Sequence, residues 1–223
     1  DYDERGKQVA EAYFDAEDHP TLQKDGYASV RMEYDERGNQ VEWACFAEDG
    51  HPAIDTSEGF HLQRAFYDAR GNVIELNYYS TNREPLLLAG GYATVKRLYD
   101  GWGHVIEELY YGTNKEPRRI GAGYASMHRA YDKRGNVVEE SYYGTSREAV
   151  LNTNGYARVR VEYDNRGNPV QYQYFDEADK PAINQLHQCH LLKAFYDTHG
   201  NVIRWQYYDK NRQLIEAATD LPP

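Results

Sequence analysis

Disulfides cannot organise this chain. It has two cysteines, Cys45 and Cys189, in different positions of its internal pattern. In an open array they would never meet, so both are expected to be free thiols, which leans towards a reducing, cytoplasmic compartment. Apolar character is also scarce: the mean hydropathy is -0.89, and no apolar run reaches the length of a membrane-spanning helix. Basic clusters are missing too. The net charge is -11, and Lys and Arg are scattered instead of forming the patch that nucleic acid or an anionic membrane requires. Helix signals are nearly absent, because Val, Ile and Tyr flank the pairs Glu107-Glu108 and Glu139-Glu140 and favour strand.

What the chain does have is tyrosine. Its 22 tyrosines bury large rings while keeping a polar tip, and an aromatic content of this kind excludes a disordered chain. They also mark a repeat. Tyr-Asp occurs with its tyrosine at 2, 34, 67, 99, 131, 163 and 196, in steps of 32, 33, 32, 32, 32 and 33. A fixed period in this range signals a stacked or radial architecture. The fullest copies are Tyr34-Asp35-Glu36-Arg37-Gly38-Asn39, Tyr67 to Asn72, Tyr131 to Asn136 and Tyr163 to Asn168.

Each copy joins two extended runs. The run Gly91 to Asp100, the turn Gly101 to His104 and the run Val105 to Tyr111 together read as a β-hairpin. Within the turns, the predicted roles fall to Asp35 and Gly38, Asp68 and Gly71, Asp132 and Gly135, Asp164 and Gly167, and Asp197 and Gly200. The carboxylate accepts from backbone amides two residues on, and the glycine supplies a positive φ. A second polar turn follows each hairpin, as at Gly112 to Pro117, with a possible brief third strand at Arg118-Arg119-Ile120. One face of each strand is apolar, as in Ala28, Val30, Met32 and Tyr34 or Ile74, Leu76 and Tyr78, which is the pattern of a half-buried sheet. The expected fold is therefore all-β: seven tandem hairpins over residues 1–223, with turns near 3–6, 35–39, 68–72, 100–104, 132–136, 164–168 and 197–201, stacked into an elongated twisted array. The alternative is a closed seven-fold ring or propeller. The chain begins inside a repeat, so a segment of a longer protein is expected.

Two copies depart from the others. Where the rest have Gly-Tyr-Ala, one reads Gly59-Phe60-His61 and another Gln188-Cys189-His190. They precede the tyrosines that end the two 33-residue steps and lie four repeats apart, which hints at a higher-order period of four.

The Tyr-Asp…Gly-Asn hairpins resemble the tyrosine-aspartate (YD) repeats of bacterial Rhs-type proteins and, more distantly, choline-binding and clostridial-toxin cell-wall-binding repeats. The period here is longer than in those families. The resemblance implies a bacterial, non-catalytic β-hairpin array within a larger multidomain protein.

Candidate chemistry is sparse. The recurrent turn Asp is followed by a basic residue, which suits turn formation better than Ca²⁺. His187, Cys189 and His190 lack the spacing of a zinc site. No nucleophile elbow, phosphate loop or zinc-protease motif occurs, so neither an enzyme nor a metal or other cofactor is expected. The ring closing each hairpin could contact a ligand, making Tyr79, Tyr111, Tyr143, Phe175 and Tyr208 candidate binding residues, with His61 and His190 as an irregular patch. Three functions stay open: a scaffold for a protein partner or flanking domains; a carbohydrate- or wall-binding module, which would place the protein at the cell surface; and a shell segment enclosing a toxin. Nucleic acid and membrane insertion are not expected.

Overall fold

The computed structural model describes residues 1–218 and contains only strands, turns and bends among them. Fourteen strands follow in order: β1 Ala10–Ala12, β2 Ser29–Tyr34, β3 Gln40–Phe46, β4 Leu62–Tyr67, β5 Val73–Tyr79, β6 Thr94–Tyr99, β7 Val105–Tyr111, β8 Ser126–Tyr131, β9 Val137–Tyr143, β10 Arg158–Tyr163, β11 Pro169–Phe175, β12 Leu191–Tyr196, β13 Val202–Tyr208 and β14 Leu214–Ala218. They form one open antiparallel sheet in which spatial order equals chain order, so β1 and β14 are its edges and the ring alternative is not formed. By contact density the chain divides into two units. One holds Asp1–Tyr99 with Leu109–Arg118; the other holds Asp100–Glu108 and the chain from Arg119 onward.

Strand follows from composition, and the hairpin from turn chemistry. At the second turn Asp35 N donates to Asn39 O at 2.9 Å and Gly38 N to Asp35 O at 3.0 Å. Gly38 has φ 82°. The register then slips between Glu33 and Tyr34, so that Tyr34 opposes Gln40. This is a type I turn closed by a glycine bulge, and the same slip recurs before Tyr67, Tyr131, Tyr163 and Tyr196. The first turn closes only the single bridge Tyr2↔Gln8 before β1.

The same loop design is used twice more per repeat: the second polar turn stands where it was expected, and a third turn, not expected, follows it. After β5, Ser80 N donates to Glu84 O; later, Leu88 N donates to Tyr92 O. Turns of this design begin at 68, 80, 88 and 100, that is 12, 8 and 12 residues apart. The third strand expected at Arg118 to Ile120 is reduced to single bridges such as Tyr111↔Pro117, because this tight turn leaves no length for a ladder. In the two irregular repeats the third loop is one residue longer: Asp55 N reaches Phe60 O and Asn184 N reaches Cys189 O. That extra residue accounts for both 33-residue steps.

Each unit buries a continuous strip of side chains. In the first it includes Val30, Cys45, Phe60, Leu62, Tyr78 and Val95. In the second it runs through Met127, Tyr142, Tyr156, Tyr174, Leu192 and Trp205.

The turns give a paired expectation. Gly135 has φ 84°, and a Cβ there would lie 3.1 Å from His104 Nε2; Gly135→Val should destabilise by about 1 kcal/mol or more. Lys115 occupies the same conformation at φ 61° without being glycine; Lys115→Gly should stabilise by about 1 kcal/mol. Thermal melts of the two variants should therefore move in opposite directions, and an upward shift for Gly135→Val would contradict the assignment.

Candidate interaction surface

The residue types that recur divide between two kinds of surface: rings that lie between strands and turns that project from the sheet.

The first ring of each aromatic pair joins a ladder with the tyrosine of Gly-Tyr-Ala. In the first unit the ladder runs Tyr13, Tyr27, Trp43, Phe60, Tyr78, Tyr92 and Tyr110, with successive centroids 5.1 to 6.1 Å apart. In the second it runs Tyr124, Tyr142, Tyr156 and Tyr174, at 4.7 to 5.8 Å. All are edge-to-face or tilted, the geometry that ring quadrupoles favour at about 0.5–1.5 kcal/mol per pair. Burial raises the hydroxyl pKa of several of these tyrosines, that of Tyr13 to about 12. Tyr142 also bonds the Glu140 carboxylate.

The second rings are the candidate binding residues, and they lie half-buried on the other face. Arg64 sits 5.5 Å over Tyr79, Lys96 5.6 Å over Tyr111, Arg160 4.8 Å over Phe175 and Lys193 5.5 Å over Tyr208. Arg31 does the same 4.4 Å over Phe46. At Tyr143 the residue in the cation's register position is His128. Several of these cations pair onward: Arg64 with Glu42 at 2.8 Å, Lys96 with Glu75 at 3.0 Å, and Arg160 with Glu139 at 2.9 Å. The signal was present in the sequence, since Arg31, Arg64, Lys96, Arg160 and Lys193 keep the repeat spacing.

His61 and His190 are 1% and 2% exposed. Their Nδ1 atoms donate to the carbonyls of Cys45 at 2.8 Å and Tyr174 at 2.7 Å. Each ring also stands edge-on to a second-ring residue, Phe46 or Phe175. Cys45 and Cys189 are free and buried, and burial pushes both thiols up to about 11.

The turn residues engage one another. Asp35 Oδ1 accepts from Arg37 N and Asn39 N, and its Oδ2 accepts from the Asn39 amide at 2.8 Å. Asp68, Asp132, Asp164 and Asp197 repeat this set with Asn72, Asn136, Asn168 and Asn201. These bonds, the Asn side-chain amide foremost, hold the carboxyls of Asp35, Asp68, Asp132 and Asp164 below their ordinary value. At Asp197 the Asn201 backbone amide leads. Gly38, Gly71, Gly135, Gly167 and Gly200 all have φ between 82° and 89°.

Two side chains of the motif reach neighbouring repeats. The tyrosine hydroxyl donates backwards: Tyr34 to Gln8 O, Tyr67 to Gln40 O, Tyr99 to Val73 O, Tyr131 to Val105 O, Tyr163 to Val137 O and Tyr196 to Pro169 O, all at 2.7–3.0 Å. The turn arginine donates forwards, as from Arg37 to Asp68 O at 2.7 Å. The turn Asp100–His104 has Trp102 in that place, 89% exposed. Trp102 and His104 border a groove of about 650 Å³ with Asp132, Lys133, Arg134 and Gly135.

The chain matches no protein-family model and no curated protein sequence. Its backbone is similar to part of several solved structures. It is 13% identical to a chain of "TcdB2-TccC3-TEV", with a TM-score of 0.44, covering 98% of this chain and 11% of that one. For "TcdB2-TccC3" the identity is 12%, the TM-score 0.42 and the coverage 98% and 12%. For a Photorhabdus luminescens Tc holotoxin pore they are 10%, 0.37, and 98% and 15%. The chain thus spans about a tenth of the length of the first of these.

The backward bond and the turn carboxylates set the response to pH. Removing the hydroxyl in Tyr163→Phe should cost about 1 kcal/mol. The folded Asp pKa values lie below the ordinary 3.8, so their contribution is complete above that value and lost as pH falls through the folded pKa. Burial raises Tyr67, Tyr163 and Tyr196 above 10; their contribution is complete below 10 and lost as pH rises beyond it. Melting temperature against pH should show a plateau that falls below about 4 and above about 10. A stability that kept rising above pH 10 would contradict the tyrosine assignment.

Proposed function

We propose that this chain is a non-catalytic repeat scaffold that engages a protein partner or spaces flanking domains. The observation that carries the reading is the use of the aromatic rings. One set is packed ring on ring between strands, and most of the other, Tyr143 and Phe14 apart, lies under the chain's own Arg and Lys side chains. What recurs towards solvent is the rim of polar turns, loops held on a rigid scaffold where a partner would meet the chain. A carbohydrate module needs a free ring platform in each groove, and the capped second rings disfavour it. Two thiols held near 11 are poor nucleophiles at neutral pH, which supports the non-catalytic reading. The YD-like motif favours a second reading, a shell segment enclosing a toxin.

A photo-crosslinking residue placed at Glu36, Trp102 or Thr198, three exposed turn positions, tests this in cells that make the protein. Discrete protein adducts at one or more turns are expected. Adducts to a toxin domain of the same polypeptide would select the shell. Adducts to cell-wall glycan alone, or none at any turn, would overturn the scaffold reading.

A further inference from the structure

The turn Asp100–His104 lacks the arginine that the turns at Asp3, Asp35, Asp68, Asp132 and Asp164 carry. Where arginine stands between the turn Asp and Gly, it binds the carbonyls that open the next turn. Arg5 Nη1 lies 3.3 and 3.2 Å from Asp35 O and Glu36 O. Arg134 Nη1 lies 3.5 and 2.8 Å from Asp164 O and Asn165 O. Arg166 reaches Asp197 O at 3.0 Å and Thr198 O at 2.9 Å through its two Nη atoms. The carbonyls at the first two turn positions are thus a guanidinium acceptor that this chain uses repeatedly.

The turn at Asp132 has the same backbone. Asp132 N donates to Asn136 O at 2.9 Å and Gly135 N to Asp132 O at 3.1 Å. Its predecessor at the donor position is Trp102 instead of arginine. The indole projects to solvent instead of bonding the Asp132 and Lys133 carbonyls. The groove's inner wall is fixed: His104 Nδ1 bonds Asp100 Oδ2 at 2.9 Å, and its ring stacks on Tyr131 at 4.6 Å and 20°.

We infer that this groove receives the guanidinium of an arginine from a partner protein, bonded to the Asp132 and Lys133 carbonyls and stacked on the face of Trp102. Three features converge on that occupant. The carbonyl pair is the acceptor that takes guanidinium elsewhere in the same chain. Indole is the best aromatic face for a cation. Only arginine joins a planar stacking face to a fork of donors. The net charge of -11 draws a basic segment in. Arg134 opposes it by charge, although its guanidinium is bonded to a carbonyl of the following turn. Lys133 also opposes it, at a position that holds Glu36, Ala69, Asn165 or Thr198 in other turns. The inference deepens the protein-scaffold reading by naming one docking point.

The test is a titration of the whole chain with acetyl-Gly-Arg-Gly-amide, followed by tryptophan fluorescence. Trp43 and Trp205 are more enclosed, so Trp102 dominates a surface response. A saturable change is expected, at least tenfold weaker with the lysine peptide and absent with the citrulline peptide. Trp102→Arg would supply the guanidinium from within the chain; it should melt no lower than the parent and lose peptide binding at least tenfold, read by calorimetry. Trp102→Ala removes only an exposed ring and should also weaken binding tenfold, which keeps the test decisive if Trp102→Arg misfolds. No saturable response, equal binding of the lysine peptide, or full binding by Trp102→Ala would overturn the inference. Protein crosslinks at other turns beside a failed titration would leave the scaffold standing and remove only this docking point; loss of every protein crosslink would remove the scaffold itself.

Discussion

Each hairpin of this protein depends on a neighbour, because a two-stranded ribbon in water is marginal on its own. Beyond the backbone ladder between hairpins, side chains contribute one tyrosine hydroxyl bond and two ring contacts per repeat. The hydroxyl of Tyr67 or Tyr163 crosses to a carbonyl of the preceding hairpin, and a ring such as Tyr78 or Tyr156 is gripped by rings on both sides. Backbone pairing such as β3 with β4 and β9 with β10 sets the distance between hairpins; the hydroxyl adds a side-chain tie across it, and the ring ladder packs alongside. Repeat proteins hold themselves together by such nearest-neighbour terms.

The hexad Tyr-Asp-x-Arg-Gly-Asn acquires a physical meaning residue by residue. Asp, Gly and Asn build the turn; Tyr reaches back and Arg reaches forward. Each bulged turn demands positive φ at its fourth position; the hairpin turns meet it with glycine, whereas the turns from 80, 112 and 144 meet it with Arg83, Lys115 and Arg147. A turn clamped by its own carboxylate can carry different side chains at its tip. That is how Trp102 replaces an arginine without loss of the fold, and why an exposed indole reads as a change of use for that position.

The irregular repeats show how packing absorbs substitutions. Cys45 stands where other repeats place the first ring of the pair, and Trp43, two residues earlier on the same face, supplies the ladder ring instead. Cys189 stands where Phe60 does, and Trp205 and Tyr207 pack around it. His61 and His190 follow the longer loops, and their Nδ1 atoms bond strand carbonyls of the preceding hairpin, those of Cys45 and Tyr174.

Local chemistry by itself determined the repeat, the strands and the hairpin turns. Period-two apolar patterning and the Asp-x-x-Gly-Asn turn act within about ten residues, so Val105 to Tyr111 could be read as a strand and Gly135 as a positive-φ position directly from the chain. Contacts between repeats were beyond that range. Nothing local says that the ring of Tyr79 lies under Arg64, that Tyr92 separates Tyr78 from Tyr110, or that His61 is enclosed. Those outcomes depend on the register between one hairpin and the next. Tertiary structure sets that register, because a strand's two faces become different only once a neighbour packs against one of them.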